Sequence, residues 1–404
     1  MRRIGRVLSN QPFGDNMNAA IKPENLSIAA NPMRSSPNKM KLGVFAINAH
    51  GGCAISTAPE VHRADDWKTN LETIQLADRA GFEAAIPIGR WRGFGGDSNF
   101  GGTSLETYTW AAAIAASTSQ IACITTSHVP TVHPLFAAKQ ATTIDHVSGG
   151  RFGLNIICGW FGPEMRMFGG SMMEHDKRYE FADEWIEIAQ KAWTQNGYFD
   201  HQSSHFNLVN AFAEPKPLNR PFLINAGGSP RGMRYCAQHC DAAFVILGSH
   251  DLEGVRKQVQ SYKKLAREEF GRDLKVWCYS YVSVAETLAE AQRYVDRYAV
   301  QYGDDVACEN IVKELGIQTG IFTPDQADRF RYHFKAGWAG FPLVGTPEMM
   351  VEHLDLLAEA GVDGVCLSWL DYNAGIKQWN AEVMPLLERA GLREQAHRPQ
   401  IGAA

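Results

Sequence analysis

Gly149-Gly-Arg-Phe-Gly-Leu-Asn-Ile-Ile-Cys-Gly-Trp-Phe-Gly-Pro-Glu164 is the stretch from which the rest of the chain is read. Residues 152–157 have the pattern of a short strand buried on both faces, with one amide, Asn155, inside it. An unpaired polar group costs roughly 1–3 kcal/mol to bury, so Asn155 either knits the core or points at a ligand. The residues after the strand favour a ligand. Gly159, Gly162 and Pro163 turn the chain sharply, Trp160 and Phe161 add flat apolar surface, and Glu164 sets a carboxylate at the strand's exit. Such a sequence suits the mouth of an α/β barrel, where the C-terminal ends of parallel strands carry the chemistry.

Working outward, strand-like and helix-like stretches alternate, as βα units and a parallel sheet require. Strands are expected over 42–47, 82–88, 121–126, 152–157, 222–225, 242–247, 275–284 and 362–368. Helices are expected over 66–80, 105–116, 135–144, 176–193, from 229, and over 251–269, 286–302 and 376–389. Eight of each predict a closed (β/α)8 TIM barrel over 41–395, with a doubly wound open sheet as the alternative. Insertions are expected at about 89–104, 194–221 and 303–344, and the glycines of Arg92-Gly-Phe-Gly-Gly96 could hinge a lid. Residues 1–40 lack apolar periodicity and read as a tail or oligomer arm, with Met40 an alternative start, and 396–404 read as a C-terminal tail. Arg2, Arg3 and Arg6 precede no apolar run, so no secretory signal is expected.

Composition narrows the function. A formal charge of −5 over 404 residues leaves no basic footprint for nucleic acid, and no apolar run is long enough to span a bilayer. Eight scattered cysteines without a C-x-x-C pair suit reduced thiols in a cytoplasm. Cys236 and Cys240 share a helical face, but two ligands are too few for a closed zinc site; core packing is the plainer reading, and no metal is expected.

Two helix starts look built for an anion. In Asn225-Ala-Gly-Gly-Ser-Pro-Arg231 a strand runs into two glycines, a Ser at N-cap and a Pro at N1, leaving N–H groups open to a phosphate. In Glu174-His-Asp-Lys-Arg-Tyr179 two cations sit at the positive end of a helix dipole, a conflict that a bound anion resolves. The plainer readings are a well-made turn and a capped helix. His128, after Thr125 and Thr126 at a strand end, is either a base or donor for substrate or a structural histidine. No G-x-G-x-x-G follows any strand, so the chain has no dinucleotide fingerprint of its own.

Arg92-Gly-Phe-Gly-Gly96, Ala141-Thr-Thr-Ile-Asp145, Ser148-Gly-Gly-Arg-Phe-Gly-Leu-Asn155, Gly159-Trp-Phe161, Glu174-His-Asp-Lys-Arg-Tyr179 and Ala226-Gly-Gly-Ser229 occur in order. In these motifs the chain resembles the bacterial luciferase-like flavin-dependent monooxygenases, in the branch of the pyrimidine oxygenases and dimethylsulfone monooxygenases. The resemblance covers roughly 41–389 and implies a TIM barrel that uses reduced FMN and O2, with the flavin reduced by a separate NAD(P)H:flavin reductase. It implies FMN contacts at Asn155, Glu164, Arg178, Tyr179, Gly228 and Ser229, and at Gly89 and Arg90. Thr126 and Asn155 would flank the flavin N5, where this branch is thought to carry oxygen as an N5-peroxide. His128, Trp160 and Phe94 would lie near a small organic substrate of sulfone, cyclic amide or halo-aromatic type. The segments around 89–104, 128–130 and 303–344 depart from the branch, so the substrate does not carry over. A cytoplasmic homo-oligomer is expected. The runner-up readings are an F420-dependent oxidoreductase on the same barrel and a flavin-binding protein without turnover.

Overall fold

The structure, a computed structural model, describes residues 31–316 and 324–394; the expectations for 1–30 and for the C-terminal tail lie outside them. Strand β4 (Phe152–Ile157) follows a helix, Pro134–Ser148, that ends on Gly149 in the left-handed region at φ 68. Only glycine takes that conformation cheaply, so the turn into the strand is set by sequence. Around it run β1 (Lys41–Phe45), β2 (Ala84–Ile86), β3 (Ala122–His128), β7 (Phe222–Asn225), β8 (Ala242–Val245), β9 (Lys275–Val284) and β11 (Gly364–Ser368). Each pairs in parallel with the next, and β11 returns to β1, so the eight strands close into the expected (β/α)8 barrel. β5 (Phe199–Gln202) and β6 (Asn207–Ala211) form a separate antiparallel hairpin within the 194–221 segment.

The barrel interior is filled by Phe45, Ile86, Ile124, Phe222, Trp277 and Cys366 among others. Gly364 makes room for the largest of them: a Cβ there would lie 2.5 Å from the Trp277 ring.

The chain differs from expectation in several places. Residues 303–344, read as an insertion loop, hold helices Asp305–Glu314 and Pro324–Gly337 and end in a further strand, β10 (Phe341–Gly345). β9 is long, and β8 covers only Lys275 to Cys278 of it; β10 pairs with the remaining edge, from Ser280 to Val284. Pro342 disguises that strand in the sequence, but an edge strand tolerates it. The next helix, Pro347–Glu359, is likewise absent from the expected set. Finally, the expected last helix is broken into Tyr372–Gln378, a wide π turn over Trp379–Val383, and Met384–Arg389. Pro385 has no N–H for the preceding turn, which accounts for the break.

Residues 31–40, read from sequence as the end of a tail, are built into the barrel's floor. Met33 is buried among the interior side chains, and Asn31 donates to the carbonyls of Arg151 and Phe152. Below them Glu83 is a junction. It accepts from the Leu42 N–H (2.7 Å), Ser36 Oγ (2.7 Å) and Asn38 Nδ2 (2.5 Å), and pairs with Arg393 at 2.9 Å. Both charged side chains are 2% exposed. Removing one partner of such a pair leaves the other charge buried and alone, which typically costs about 3–5 kcal/mol. Glu83→Ala should therefore lower unfolding stability by about that amount in denaturant titration; a loss under about 1 kcal/mol would show that the pair is not a keystone.

Candidate active site

At the C-terminal mouth of the barrel lies a cavity of about 550 Å³, within the usual range for a cofactor or substrate site. Strand ends line it: Phe45 from β1, Thr126 and His128 from β3, Asn155 from β4, Asn225 from β7, Phe244 from β8 and Tyr279 from β9. Of the residues expected here, Gly89, Arg90, Thr126, His128, Asn155, Trp160, Arg178, Tyr179, Gly228 and Ser229 line the cavity. Glu164 and Phe94 stand behind that wall, packed against residues that do.

Asn155 and Thr126 are direct cross-strand partners, as parallel pairing of β3 with β4 dictates. Asn155 Nδ2 donates to Thr126 Oγ1 at 3.1 Å, and Thr126 gives its own proton to the Pro87 carbonyl. Thr126 thus has no hydrogen left to offer the cavity. Asn155 keeps one N–H, and its Oδ1 is buried without a partner among the described residues. Buried amide oxygens are normally paired, so one orphaned on a cavity wall is the mark of a ligand site.

The two anion-ready helix starts meet at one end of the cavity. Ser229 caps the helix Pro230–His239 by accepting from the Gly232 N–H at 3.1 Å, and its hydroxyl also meets that of Tyr179. Gly227 must be glycine, because a Cβ would lie 2.6 Å from Gly232 Cα, whereas above Gly228 the space is open. The N–H groups of Gly228 and Ser229 take no partner among the described residues. Tyr179, from the helix His175–Thr194, lays its hydroxyl against Gly232 and so joins the two starts. Burial holds that phenol protonated, well above its ordinary range. Arg178 donates one guanidinium N–H to the Gly159 carbonyl at 2.6 Å and leaves Nε unpaired. Lys177, the other cation of that motif, is spent on exposed Glu180 at 2.7 Å. These groups fit a phosphate at helix N-termini, with Arg178 as the charge.

The opposite wall is organised by Glu164, which is fully buried. One oxygen accepts from the backbone N–H groups of Trp91 (2.8 Å) and Arg92 (3.3 Å) and meets Arg90 at 3.3 Å. The Arg90 guanidinium is enclosed by the rings of Phe94, Trp160 and Phe161, at 4.9, 5.1 and 5.5 Å. His128 Nδ1 approaches the second Glu164 oxygen at 3.7 Å. That contact is not an ion pair, because burial, and then the Arg90 charge, push the imidazole down to about 3.

Several cavity residues escaped sequence reasoning. Phe45, Phe244 and Tyr279 pack into one aromatic group with centroids 5.0 to 5.6 Å apart. Phe45 and Phe244 sit at or next to a strand's C-terminal end and Tyr279 midway along β9, so strand alternation was the available signal. Trp338 closes the roof against Phe94, Phe100 and Trp160, and with Ala339 it takes positive φ (54 and 58). Its signal was the flanking Gly337 and Gly340, in a segment read as loop. Among the described residues no group of His, Cys, Asp and Glu is arranged to hold a metal, and no helix is long and apolar enough to cross a membrane.

The luciferase-like monooxygenase profile matches residues 40–364. The chain belongs to the luciferase-like monooxygenases. It is 31% identical over 359 residues to a pyrimidine monooxygenase (RutA) of Acinetobacter baylyi, covering 86% of this chain and 95% of that one. A protein of the same name from Bradyrhizobium is 30% identical, covering 88% and 99%. Among solved structures, DmoA of Hyphomicrobium sulfonivorans superposes with a TM-score of 0.75 at 18% identity, covering 89% and 92%. EDTA monooxygenase of Chelativorans superposes with 0.72 at 19%, covering 89% and 96%. At that identity the likeness shows the fold. As a member of this family the protein is a monooxygenase.

The buried His128 gives this luciferase-like mouth an acid sensitivity. Its folded value, about 3, lies below the ordinary 6.5. The unfolded chain therefore takes up a proton first as pH falls, and stability is lost between 6.5 and 3. His128→Gln should flatten the acid limb of a stability-versus-pH curve in that window; an unchanged slope would show that His128 is already charged in the fold.

Proposed function

We propose that the cavity holds reduced FMN and that the protein is the oxygenase component of a two-component system, inserting one atom of O2 into a small organic substrate. The observation that carries this reading is a single cavity with an anion cradle at one end and an orphaned amide on its wall. The cradle, formed by Arg178, Tyr179, Ser229 and the free N–H groups of Gly228 and Ser229, suits the FMN phosphate. Asn155 suits the polar edge of the flavin ring, and the resemblance supports oxygen chemistry at N5 beside Asn155 and Thr126. When bound, reduced flavin supplies the electrons that activate O2. The chain's own part is to bind, orient and keep dry: Phe45, Trp160, Phe244, Tyr279 and Trp338 line the cavity with rings that exclude water.

The missing dinucleotide motif supports delivery of electrons by a separate NAD(P)H:flavin reductase. The substrate is of sulfone, cyclic amide or halo-aromatic type; the pyrimidine monooxygenase relatives speak for the cyclic amide. A second copy of the chain and a cytoplasmic setting complete the proposal, and eight unbridged, buried cysteines suit a reducing compartment.

Two outcomes are expected. FMN should bind more tightly than riboflavin, and Arg178→Ala should cost FMN about 1.5–3 kcal/mol, one charge-assisted hydrogen bond. Flavin fluorescence titration reads both, and equal affinity for FMN and riboflavin would overturn the phosphate assignment.

The other outcome concerns oxygen transfer, followed with chemically reduced FMN, O2 and a panel of sulfones, cyclic amides and halogenated aromatics. Asn155→Ala should lower product per reduced flavin on the order of 10²–10³-fold, the usual cost of a preorganised donor. Thr126→Val should cost less, since its proton is already committed to Pro87. Wild-type coupling in a folded Asn155→Ala variant would remove Asn155 from the oxygen site.

A further inference from the structure

Beyond the phosphate cradle, the charges around the cavity cancel. Arg90 and Glu164 are paired, Arg178 is committed to the FMN phosphate, His175 is paired with Asp176, and Glu314 at the exposed rim adds only negative charge. Two of the unmatched atoms in the wall face each other. His128 Nδ1 and Glu164 Oε2 are both buried, neither has another partner among the described residues, and they lie 3.7 Å apart. A carboxylate oxygen facing one imidazole nitrogen decides where the ring's proton sits. The Nδ1–H tautomer directs a donor at Glu164, whereas the other would set a lone pair against it. Nε2 is then a bare acceptor. It lies on the cavity side, 3.4 Å from the Cβ position of Gly89, and no protein group donates to it among the described residues.

We infer that Glu164 acts as a positioning residue, fixing the tautomer of His128 so that Nε2 accepts a hydrogen bond from the substrate, and that the substrate is a small uncharged molecule carrying an N–H or O–H donor. The inference rests on the flavin reading of the cavity. Complementarity leads to it: an anion would meet a lone pair and no free cation, and a molecule without a donor would leave Nε2 unpaired in a dry site. It also separates two jobs in one wall. Arg90 shares the carboxylate of Glu164 and is closed in by three rings, so its charge is matched within the wall and supports the roof.

The test uses FMN-loaded protein, and FMN binding is measured first by fluorescence titration. Failure of FMN to bind defeats the flavin reading, whereas the next results bear on the pair alone. In protein labelled with 15N in the histidine rings, the His128 signals are assigned by their loss in His128→Gln. They should report a neutral ring protonated at Nδ1 at pH 7, and Glu164→Gln should shift the tautomer balance toward Nε2–H. A wild-type Nε2–H tautomer or an imidazolium at pH 7 overturns the inference, even if Glu164→Gln fails to fold. Binding is then compared for uracil, 2-pyridone and succinimide against their fully N-methylated forms, with orotate as the anion. The N–H member should bind roughly tenfold tighter in wild type, and the preference should vanish in His128→Phe. Tighter orotate, equal binding within the pairs, no binding of any ring, or a preference that survives in His128→Phe overturns the substrate assignment.

Discussion

A single carboxylate with no access to water sets the order of the barrel's mouth. Glu164 lies in the short helix Gly162–Met167, directly after β4 and its Gly-rich turn, and is fully buried. A charge in that position is tolerable only if other groups come to it. The groups that come are the Trp91 and Arg92 N–H groups, the Arg90 guanidinium and the His128 ring. Meeting the carboxylate fixes the root of the 89–104 loop, brings Arg90 under Phe94, Trp160 and Phe161, and sets the face that His128 turns to the cavity. The mouth is thus built from β4 outward.

The floor repeats the device for a different end. Glu83 and Arg393 gather the first described residues, the starts of β1 and β2, and the chain's last described turn. Its partners leave none of the Glu83 oxygens idle, so this end of the barrel is closed to further chemistry. At the mouth, Glu164 Oε2, His128 Nδ1, Asn155 Oδ1 and Arg178 Nε stay unsatisfied. Arg393 Nε on the floor and Arg34 Nε are unpaired as well, so it is the cavity beside the mouth's unsatisfied atoms that marks that end for function, as in barrels of this kind.

How much of this the sequence carried depended on whether the signal was local. β4 and β7 are legible to the residue because apolar runs and glycine punctuation are local facts. The two helix starts are readable because capping chemistry is local too. Their meeting over Tyr179 and Gly232 is not, since it depends on the closure of the barrel. Glu164 is legible as a carboxylate at a strand exit, but whether it faces the cavity or stands behind it is decided by N–H groups far away in sequence. Lys177 and Arg178 look alike; only the reach to Glu180 or to Gly159 separates them. β10 is hidden by Pro342, and Trp338 by its place between two glycines. The globular part starts earlier than periodicity suggests, because Asn31 and Met33 are buried through contacts that no local pattern announces.

Asp304 joins what the sequence presents as two separate insertions. One of its oxygens accepts from both the N–H and the hydroxyl of Ser98 at 2.7 Å, and the other caps the helix Asp305–Glu314 at the Ala307 N–H. Asn310, one turn into that helix, donates to the Phe94 carbonyl at 2.7 Å. The tip of the 89–104 loop and the start of the 303–344 segment are therefore a single mechanical unit, clasped from both sides. A change of substrate range in this lineage cannot be written into one of them alone: the two stretches must be exchanged, or drift, as a cassette.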